Sequence, residues 1–589
     1  SGNSYTLDDL GKAELYVFLG DNMAETRPVY FGMINDWRLR NQAKMIVVDP
    51  RRSVTAVKAD RWLAIRPGTD LALGLAIAHH ILTNGLHDLK FCQVWVLGWE
   101  AWRNFILAKD YSPDWAAPIT DLSADDIRWL AEEIAQADGC VIFGSRGINQ
   151  HSNAVQTNRV LMFVTAITGN WGRKGGAYLN MTPGIPFAAH VPAERYVKPT
   201  KPKIRHSPAG WTEAIRDGKP YPLKAMIACN NPMSNWPDQK TTRDAYRSLD
   251  LLVHIELFAN ETSAFADYVL PAATGIEQGD VGRAADDRRV VWIDKMIAPP
   301  GEAKADAWIW VELGKRFGFE DVLQEAYANP AVFWDEVLIQ NDALRGCTQK
   351  RLHAAPNRTV RWPVSSETAP EQETLFLEGS TATGAPEGQR FPTLSGKLEF
   401  FTEEMEAKFR TLGLSSLPEF YSEREQLINL PYTELELRDD QPGILSPFFK
   451  NNTWASPAHI VSTETDKVGK EADTPSARLR QSGFDTELVT GRAPAPHFHS
   501  WTHYFWQAQE MWPDLYVRMH PGKATTLGIA DGDRVRIASA HGTIEALAWL
   551  DAGIRPTAVY VPIGWGERQP FHPWYSVNFL TDKTQRDPI

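Results

Sequence analysis

Cysteine is scarce in this chain of 589 residues: its four cysteines are far apart, and no C-x-x-C pair occurs. Iron–sulfur motifs and disulfide frameworks need closely spaced or matched cysteines, so neither is indicated. The sequence predicts separate buried thiols at Cys92, Cys140, Cys229 and Cys347. Because the chain starts without an initiator methionine and ends abruptly, we expect it to be a piece of a longer polypeptide.

Long apolar runs and an excess of positive charge are also missing. No stretch of 18 uncharged apolar residues exists, so no membrane-spanning helix is predicted. Acidic residues outnumber basic ones by 73 to 61, and the formal net charge of −12 argues against nucleic acid as a general partner. A local basic pocket for phosphates is still compatible with this balance. What the chain does have is an ordinary globular composition with 22 tryptophans, which indicate large packed surfaces or deep clefts.

Several catalytic motifs are absent as well. The sequence contains no nucleophile elbow, no P-loop and no H-E-x-x-H metal motif. His497 and His499 form an i, i+2 pair, but a metal ion would need a third ligand, and no obvious one is nearby. A turn that hydrogen-bonds a ligand is therefore the favoured interpretation of this pair.

Apolar runs that end in small polar turns alternate with amphipathic stretches over the first half of the chain. Residues 14–19 and 45–48 are predicted strands with a helix over 28–40 between them, which makes a βαβ unit. Further predicted elements are strands 140–143, 224–228, 251–256 and 268–270 and helices 123–137 and 153–168. Open α/β sheets bind ligands at the carboxyl ends of their strands, so several such turns predict a long, polyphosphate-like ligand.

Two aspartates are placed to bind a nucleotide, and each has an ordinary structural alternative. Asp49, at the tip of the second strand, could hydrogen-bond a ribose or a base edge, or it could be a cap or turn residue. Asp70 opens a predicted helix with Thr69 as its N-cap and Gly85 just beyond its end. Its carboxylate could accept from two N–H groups of guanine or simply complement the helix dipole.

The charged cluster Asp286-Asp287-Arg288-Arg289 also has two interpretations. It is either a surface ion-pair network or, near a cleft, the source of an arginine that holds an anionic substrate.

The stretch 181–222 is rich in proline without periodicity, which predicts an irregular cover or partner contact. From residue 486 the pattern changes to short strands and turns, including strands 534–538 and 543–550, and indicates a compact β-barrel-like domain.

Motifs along nearly the whole chain resemble those of molybdopterin oxidoreductases, the bis-molybdopterin-guanine-dinucleotide enzymes of the dimethyl sulfoxide reductase family. The turn Gly20-Asp21-Asn22-Met23-Ala24-Glu25-Thr26 resembles the family's G-x-N-x-A-E turn. Gly147-Ile148-Asn149-Gln150-His151 is similar to the G-x-x-Q-H of formate dehydrogenases and periplasmic-type nitrate reductases, whereas the run 168–176 leans toward thiosulfate or polysulfide reductases. Further matches, in the family's order, are Val48-Asp49-Pro50-Arg51, Pro67-Gly68-Thr69-Asp70, 266–271, 300–303, 395–399, Thr490-Gly491-Arg492, 527–533 and 578–581.

The resemblance implies an α/β fold. It consists of two Rossmann-like parallel-sheet domains and a C-terminal β-barrel domain of the double-psi type. The expected boundaries are a dinucleotide-binding domain over 1–180, a second α/β domain over 181–425, a connecting segment over 426–485, and a dinucleotide-binding barrel over 486–589.

The cofactor implied by the resemblance is a pair of molybdopterin guanine dinucleotides that together hold one molybdenum or tungsten ion. One dinucleotide should contact the first sheet, the C-terminal domain should add further contacts, and other turns should line the same cleft. The residues expected from the first sheet are Gly20, Asn22, Asp49 and Asp70. Those expected from the C-terminal domain are Thr490, Gly491, Arg492, His499, Ser500 and Asn578. The other turns are expected to place Gln150 and His151 near a pterin and to line the cleft with Asn230, Pro232 and Thr262.

Catalytic roles follow from the same resemblance. His151 is expected to hydrogen-bond near the metal, and Arg288 to steer an anionic substrate, although Asp287 falls where formate dehydrogenases carry an arginine. The family's metal ligand and its [4Fe–4S] cluster normally lie upstream of the first βαβ unit. We therefore name no metal ligand and expect the cluster only in a segment before this chain.

The implied function is that of the catalytic-subunit body of an oxidoreductase for formate, nitrate or a sulfur oxyanion, as in anaerobic respiration, with an electron-transfer subunit as partner. Cytoplasm and periplasm both host the family, so no location is predicted. One alternative is a non-catalytic cofactor-binding or scaffold subunit, which the absent ligand segment suggests. A nicotinamide dehydrogenase rests only on the βαβ unit and Asp49, and it lacks the G-x-G-x-x-G motif.

Overall fold

The computed structural model describes residues 6–179, 185–188, 204, 207–284, 287–421, 486–494, 497–539, 541–570 and 572–582. Within them no helix is both long enough and apolar enough to cross a membrane.

The strands are β1 (Leu15–Leu19), β2 (Lys44–Val48), β3 (Arg61–Leu63), β4 (Val96–Leu97), β5 (Cys140–Gly144), β6 (Ala177–Leu179), β7 (Ala225–Cys229), β8 (Leu251–Glu256), β9 (Tyr268–Pro271), β10 (Asp280–Ala284), β11 (Arg289–Ile293), β12 (Thr359–Arg361), β13 (Leu398–Glu399), β14 (Glu487–Arg492), β15 (Tyr516–Met519), β16 (Arg534–Ala538), β17 (Thr543–Leu550) and β18 (Ala558–Ile563).

Helices connect these strands. Those of eight or more residues are Pro28–Asn41, Asp70–Thr83, Trp99–Ala108, Pro113–Thr120, Ala124–Gln136, Ala154–Ile167, Pro208–Arg216, Gln239–Tyr246, Asp306–Arg316 and Glu403–Arg410. One-turn helices Met23–Thr26, Val54–Val57, Arg146–Asn149 and Pro232–Asn235 follow strand ends and become important below.

The first sheet is fully parallel, with the strand order β3-β2-β1-β5-β6. All residues of β1 and β5 are buried, as expected for parallel strands that are covered on both faces. The chain steps from β1 to β2 on one side and reaches β5 on the other. The carboxyl ends of β1 and β5 therefore form the switch point at which open α/β sheets bind ligands.

Helices cover both faces of this sheet. On one face, Asp70–Thr83 and Ala154–Ile167 pack on Val17 and Ile142. These two helices approach so closely that a Cβ on Gly74 would lie 2.5 Å from Val160 Cγ1. On the other face, helix Pro28–Asn41 packs against the aromatic side chains of β1 and β5. This sandwich fixes the turns at the strand ends relative to one another.

A second parallel sheet, with the order β7-β8-β9, lies in the middle of the chain, next to the antiparallel sheet β10-β11-β12. The C-terminal sheet has the order β14-β18-β15-β17-β16 and mixes parallel with antiparallel pairs. The α/β class with parallel sheets is thus confirmed. The closed double-psi barrel and the domain boundaries stay predictions, and the connecting segment 426–485 lies outside the described residues.

Two local expectations are wrong. Cys92, Cys140 and Cys347 are buried, but Cys229 is exposed because it ends β7 at the edge of its sheet. The stretch 181–222 is expected from its composition to be irregular, and this is wrong for Pro208–Arg216, a helix whose N-cap Ser207 accepts a hydrogen bond from Gly210 N. Residues 181–184, 189–203 and 205–206 of this stretch lie outside the described residues. A proline at the first helical position suits a helix start, so it does not signal a loop here.

Candidate functional site

Three turns meet at the switch point of the first sheet. Gly20 N donates to the carbonyl of Val48 (3.0 Å), and Gly147 N donates to the carbonyl of Gly20 (3.1 Å). A Cβ on Gly20 would lie 2.8 Å from Gly147 Cα, and one on Gly147 would lie 2.7 Å from Gly20 Cα. Gly20 also has φ of +56°, which glycine adopts at little cost. The backbones of the two turns are therefore packed directly on each other, with no room for a side chain between them.

Asn22 shapes the turn that follows β1. Its amide donates to Glu25, and its Oδ1 accepts from the hydroxyl of Thr55 (3.1 Å). The same hydroxyl oxygen accepts from Ala24 N (2.9 Å). Asn22 thus ties two one-turn helices together, and its contact with a dinucleotide stays a prediction.

Asp49 is a turn residue at the end of β2. It is buried, and its Oδ1 accepts from Arg51 N (2.8 Å). Burial raises the pKa of the Asp49 carboxyl, and the Arg51 guanidinium opposes that rise. The turn interpretation from the sequence is therefore realised, while a contact with ribose or base stays a prediction.

Tyr560 joins the first sheet to the C-terminal sheet. The guanidinium of Arg51 lies 3.8 Å above its ring, and its hydroxyl donates to the carbonyl of Arg492. A Cβ on Gly491 would lie 2.8 Å from that hydroxyl oxygen, so Tyr560 needs glycine there. Arg66 adds an ion pair with Glu487 (2.9 Å) at the other end of β14. The end of β14, with Thr490, Gly491 and Arg492, is thereby held against the turns of the first sheet.

Positive charge collects where these parts meet. Burial lowers the pKa of Arg492, and the nearby charges of Arg146 and Arg27 lower it further. Arg27 pairs with Asp21, but within the described residues neither Arg146 nor Arg492 has a carboxylate partner. Two neighbouring guanidinium groups without a carboxylate partner among the described residues, one after β5 and one at the end of β14, attract an anion.

His499 stands beside this pair. Its Nε2 lies 3.3 Å from an Arg492 Nη, which can only donate, so Nε2 accepts and Nδ1 carries the proton. Burial, together with Arg492 and Arg146, lowers the pKa of His499 to about 4. His499 is therefore a neutral hydrogen-bond donor at neutral pH. Its φ of +56° is uncommon for a residue other than glycine, and such strain concentrates at functional sites.

The turns of the second sheet form a buried hydrogen-bonded group. Asn231 donates to Glu261 (2.6 Å), and the hydroxyl of Thr262 donates to Asn231 Oδ1 (2.9 Å). The Thr262 oxygen also accepts from Met233 N in the one-turn helix that Pro232 begins (3.1 Å). Asn230, just before this group, is exposed with φ of +64°. The predicted residues Asn230, Pro232 and Thr262 are thus brought together.

The same turns contact the C-terminal domain. Asn578 donates to the carbonyl of Ser234 (2.9 Å), and Asn235 lies 3.4 Å from the hydroxyl of Ser500. Glu261 accepts from Arg568 N (2.8 Å). The C-terminal sheet therefore contacts both parallel sheets. We call these two interfaces, one with the first sheet and one with the second, the seams, and the predicted residues of the C-terminal domain lie along them.

The other predicted residues follow the first sheet. Gln150 is exposed and His151 half-buried, directly after helix Arg146–Asn149. Asp70 is buried at the start of its helix, and Asn153 donates to the carbonyl of Gly68 in the loop before it (3.0 Å). No group of three or more potential metal ligands occurs in the part of the chain that the structure describes.

The surface interpretation of the charged cluster is wrong for Asp287 and Arg288, and Asp286 lies outside the described residues. Asp287 is fully buried, and its partners are Leu7 N, Arg289 and Arg361. Arg288 is 2% exposed, and its guanidinium donates to three carbonyls, those of Trp362, Gln372 and Glu373. This geometry favours a structural role for Arg288, and its role in steering substrate stays a prediction.

Sequence reasoning missed Arg27, Arg146, Tyr560 and Glu261. Arg146 could have been found, because it follows an apolar strand and precedes the Gly147 motif. Tyr560 and Glu261 act through partners that are distant in sequence, and no local pattern marks them. His497, offered as a ligand contact, is instead buried and donates to the carbonyl of Trp512 (3.2 Å).

A substitution at Gly566 tests the interface between the C-terminal domain and the second sheet. A Cβ there would lie 2.2 Å from Glu261 Oε1. Because Glu261 is buried and holds Arg568 N, we expect Gly566→Ala to destabilise the protein by about 1–3 kcal/mol in urea unfolding. Gly32→Ala is the matched control, since its Cβ meets nothing within 4 Å in a helix and should stabilise slightly. Equal stabilities of the two variants would contradict this seam.

Three neutral histidines should make the fold sensitive to acid. Burial lowers the pKa of His497, His499 and His503. Below the unfolded pKa of about 6.5, the unfolded chain therefore binds more protons than the folded one. The free energy of unfolding should fall as the pH falls from about 6.5 toward 4.

Urea titrations of the parent and of His503→Phe at two pH values, one above and one inside this window, measure the effect. The parent should lose more stability than the variant, which has one such group fewer. Buried carboxyls such as Asp49 titrate in both proteins and cancel in the difference. An equal loss in both would show that His503 is not held neutral.

Comparisons with known proteins identify two matching family models and a similar structure. A sequence profile of the molybdopterin oxidoreductase family matches residues 2–316, and one of the molybdopterin dinucleotide-binding domain matches residues 487–589. Acetylene hydratase from Pelobacter acetylenicus has a similar structure, with a TM-score of 0.72 and 20% identity over 96% of this chain and 74% of that one. At this identity the likeness shows the fold alone.

Three curated relatives have named activities. A nitrate reductase of Symbiobacterium thermophilum is 29% identical over 65% of this chain and 55% of its own length. The thiosulfate reductase molybdopterin-containing subunit of Salmonella typhimurium is 24% identical over 89% and 65%, respectively. Formate dehydrogenase H of Escherichia coli is 26% identical over 68% and 56%. The matches thus span between 55% and 65% of the length of these relatives.

Proposed function

The chain belongs to the molybdopterin oxidoreductase family, and from this premise we propose that it is the catalytic body of a molybdenum or tungsten enzyme. The proposed cofactor is bis-molybdopterin guanine dinucleotide, bound in the crevice between the two parallel sheets and the C-terminal sheet. The proposed reaction is a two-electron oxidation or reduction of a small anionic substrate.

One observation carries the proposal: Arg146, after β5, and Arg492, at the end of β14, lie near each other and near His499, and neither has a carboxylate partner in the described part of the chain. A pyrophosphate would supply the missing negative charge. Gly147 directly follows Arg146, and its backbone packs so closely on that of Gly20 that the turns after β1 and β5 are held beside these arginines. The residues present therefore fit a pyrophosphate-bearing cofactor.

The arrangement of the seams supports two dinucleotides. The first sheet meets the C-terminal sheet at Arg51 and Tyr560, and the second sheet meets it at Ser234 and Asn578. Each seam contains a turn at the carboxyl end of a parallel strand. We assign one dinucleotide to Gly20, Asn22, Asp49 and Asp70 and the other to Asn230, Pro232 and Thr262, with Thr490, Gly491, Arg492, His499, Ser500 and Asn578 contributing from the C-terminal side.

The protein's own contribution is binding, orientation and electrostatics. When bound, the metal and its pterins supply the two-electron redox chemistry. Neutral His499 offers Nδ1–H as a hydrogen-bond donor, and the positive charges of Arg146 and Arg492 would bind the negatively charged groups of the cofactor. Gln150 and His151, which follow the Gly147 turn, would lie toward a pterin, and His151 would donate or accept a hydrogen bond there.

The substrate class follows from the relatives and from charge. Formate, nitrate and thiosulfate, which give the relatives their names, are all small anions. Neighbouring arginines without a carboxylate partner among the described residues raise the local concentration of such ions. We propose one of these anions or a related sulfur oxyanion as substrate, with an electron-transfer subunit as partner.

The test uses the full protein, produced without oxygen. Metal analysis should find molybdenum or tungsten, iodine oxidation should release fluorescent pterin, and acid should release guanine nucleotide. Assays with formate, nitrate and thiosulfate and a viologen dye should then detect turnover of one anion. Protein without metal, pterin or nucleotide would contradict the proposal, and bound cofactor without turnover would favour a scaffold role.

A further inference from the structure

Two buried histidines lie behind His499. The rings of His497 and His503 stack face to face, with their centroids 3.7 Å apart and 6° between their planes. The indole of Trp565 covers the ring of His503 with a centroid distance of 4.4 Å. Two imidazolium rings would repel each other in this arrangement, and burial lowers the pKa of both groups. The stacked rings are therefore neutral.

Hydrogen-bond partners fix the tautomer of each stacked ring. His497 Nε2 lies 3.2 Å from the carbonyl of Trp512, which can only accept, so the proton is on Nε2. His503 Nδ1 accepts from the amide of Gln509 (3.3 Å), so its proton is on Nε2 as well. The pair is thus held in one orientation by groups that do not belong to the crevice.

His503 Nε2 is directed at the backbone of the C-terminal domain next to His499. It has no hydrogen-bond partner within the described residues. A Cβ on Gly564 would lie 2.5 Å from this nitrogen and 3.0 Å from the carbonyl of His499. Gly564 itself has φ of +115°, and its carbonyl accepts from Gln569 (2.6 Å). The His503 ring and the carbonyl of His499 therefore both border the same face of Gly564, which leaves no room for a side chain between them.

This packing bears on the backbone strain at His499. His499 has the left-handed φ of +56°, which a residue with a Cβ keeps only where its surroundings enforce it. The stacked pair and Trp565 border Gly564 next to the carbonyl of His499, and Arg492 donates a hydrogen bond to the His499 ring.

We propose that His503 is a positioning residue that supports the left-handed turn at His499 and so aims the His499 imidazole at Arg492. The inference rests on the proposed function, since Arg492 and His499 are proposed to bind the cofactor. His503 touches no ligand in this scheme and acts only through His499.

The test measures by calorimetry how the full chain, prepared without bound cofactor so that the proposed site is open, binds GDP-mannose, a probe whose pyrophosphate carries no titrating proton near neutral pH. His503→Phe keeps the ring stack and removes both nitrogens. Gln509→Leu removes only the partner of Nδ1 and serves if the first variant does not fold. We expect either to weaken binding about tenfold, the effect of one misplaced hydrogen-bonding group. His353→Phe, a partly exposed histidine paired with Asp294, is the control.

The pH profile separates positioning from a merely structural effect. The charged groups that face His499 are Arg492 and Arg146, with Arg27 next to Arg492, and they keep it neutral in the parent. Parent affinity should be flat between about pH 5.5 and 7.5. In His503→Phe, a released His499 should titrate near its usual pKa, and affinity should rise as the pH falls.

The outcomes distinguish the two proposals. A parent that binds the probe, with both variants matching its affinity and flat profile, would overturn the positioning role alone. A parent that does not bind the probe would contradict the proposed function and the positioning role with it.

Discussion

Removing Arg492 is expected to lower the affinity of the protein for GDP-mannose by about 10- to 100-fold. The Arg492 guanidinium has no carboxylate partner among the described residues and lies beside Arg146, so an anion in the crevice relieves repulsion between two positive groups. A hydrogen bond to a charged group contributes about 1.5–3 kcal/mol, which corresponds to this range of affinity. Calorimetry of Arg492→Ala and Arg146→Ala, and of the protein with both changes, measures the effect.

The control is Arg316→Ala, because Arg316 is exposed and pairs with Glu312 on its own helix. Arg492→Lys should recover part of the affinity, since it restores charge without the planar donors. In the parent, affinity should also fall steeply with salt. If Arg492→Ala and Arg146→Ala both bind as tightly as Arg316→Ala, the crevice is not the anion site.

Gly20→Ala is expected to destabilise the protein more than Gly566→Ala does. The new Cβ would meet the backbone of Gly147 at 2.8 Å, and backbone on a packed sheet cannot move aside as a side chain can. Left-handed strain costs about 1–2 kcal/mol, and overpacking adds about 1–3 kcal/mol. Urea unfolding measures the sum, and GDP-mannose binding should fall because the two turns separate.

Gly85→Ala is a matched control for this change. Gly85 has a similar φ of +66°, but its Cβ would meet nothing within 4 Å. It should show the strain cost alone and leave GDP-mannose binding unchanged. Equal destabilisation by Gly20→Ala and Gly85→Ala would show that the turns after β1 and β5 are not in contact.

Much of the local structure is readable from the sequence. The apolar runs at 14–19, 45–48 and 140–143 correspond to β1, β2 and β5 within one residue at each end, since fully buried parallel strands are continuous apolar runs. The helix after Thr69 runs over Asp70–Thr83, and Gly85 just beyond it has the left-handed φ expected of that position.

The features that sequence patterns miss depend on partners far away along the chain. The burial of Asp287 rests on Arg361 and on Leu7 N, which lies 280 residues before it. The link from Arg51 to Arg492 runs through Tyr560, and Glu261 reaches Arg568 N across 307 residues. Local patterns carry no information on such pairs.

The candidate site is foreseeable only in outline. Motif resemblance places Gly20, Gly147 and Arg492 in one cleft, and the structure brings their surroundings together. The roles of Asn22, Asp49 and Thr262 within their own turns are not foreseeable, because a polar residue at a strand end suits a turn as well as a ligand.

The central claim is that turns from the first parallel sheet and the C-terminal sheet grip one pyrophosphate-bearing ligand together. Hydrogen–deuterium exchange of the full chain with and without GDP-mannose tests it most directly. The account predicts that slowed amide exchange appears together in the Gly20–Asn22 turn, in Gly147–Gln150 and around Arg492 and Ser500. Protection confined to one sheet, or located away from these turns, would contradict it.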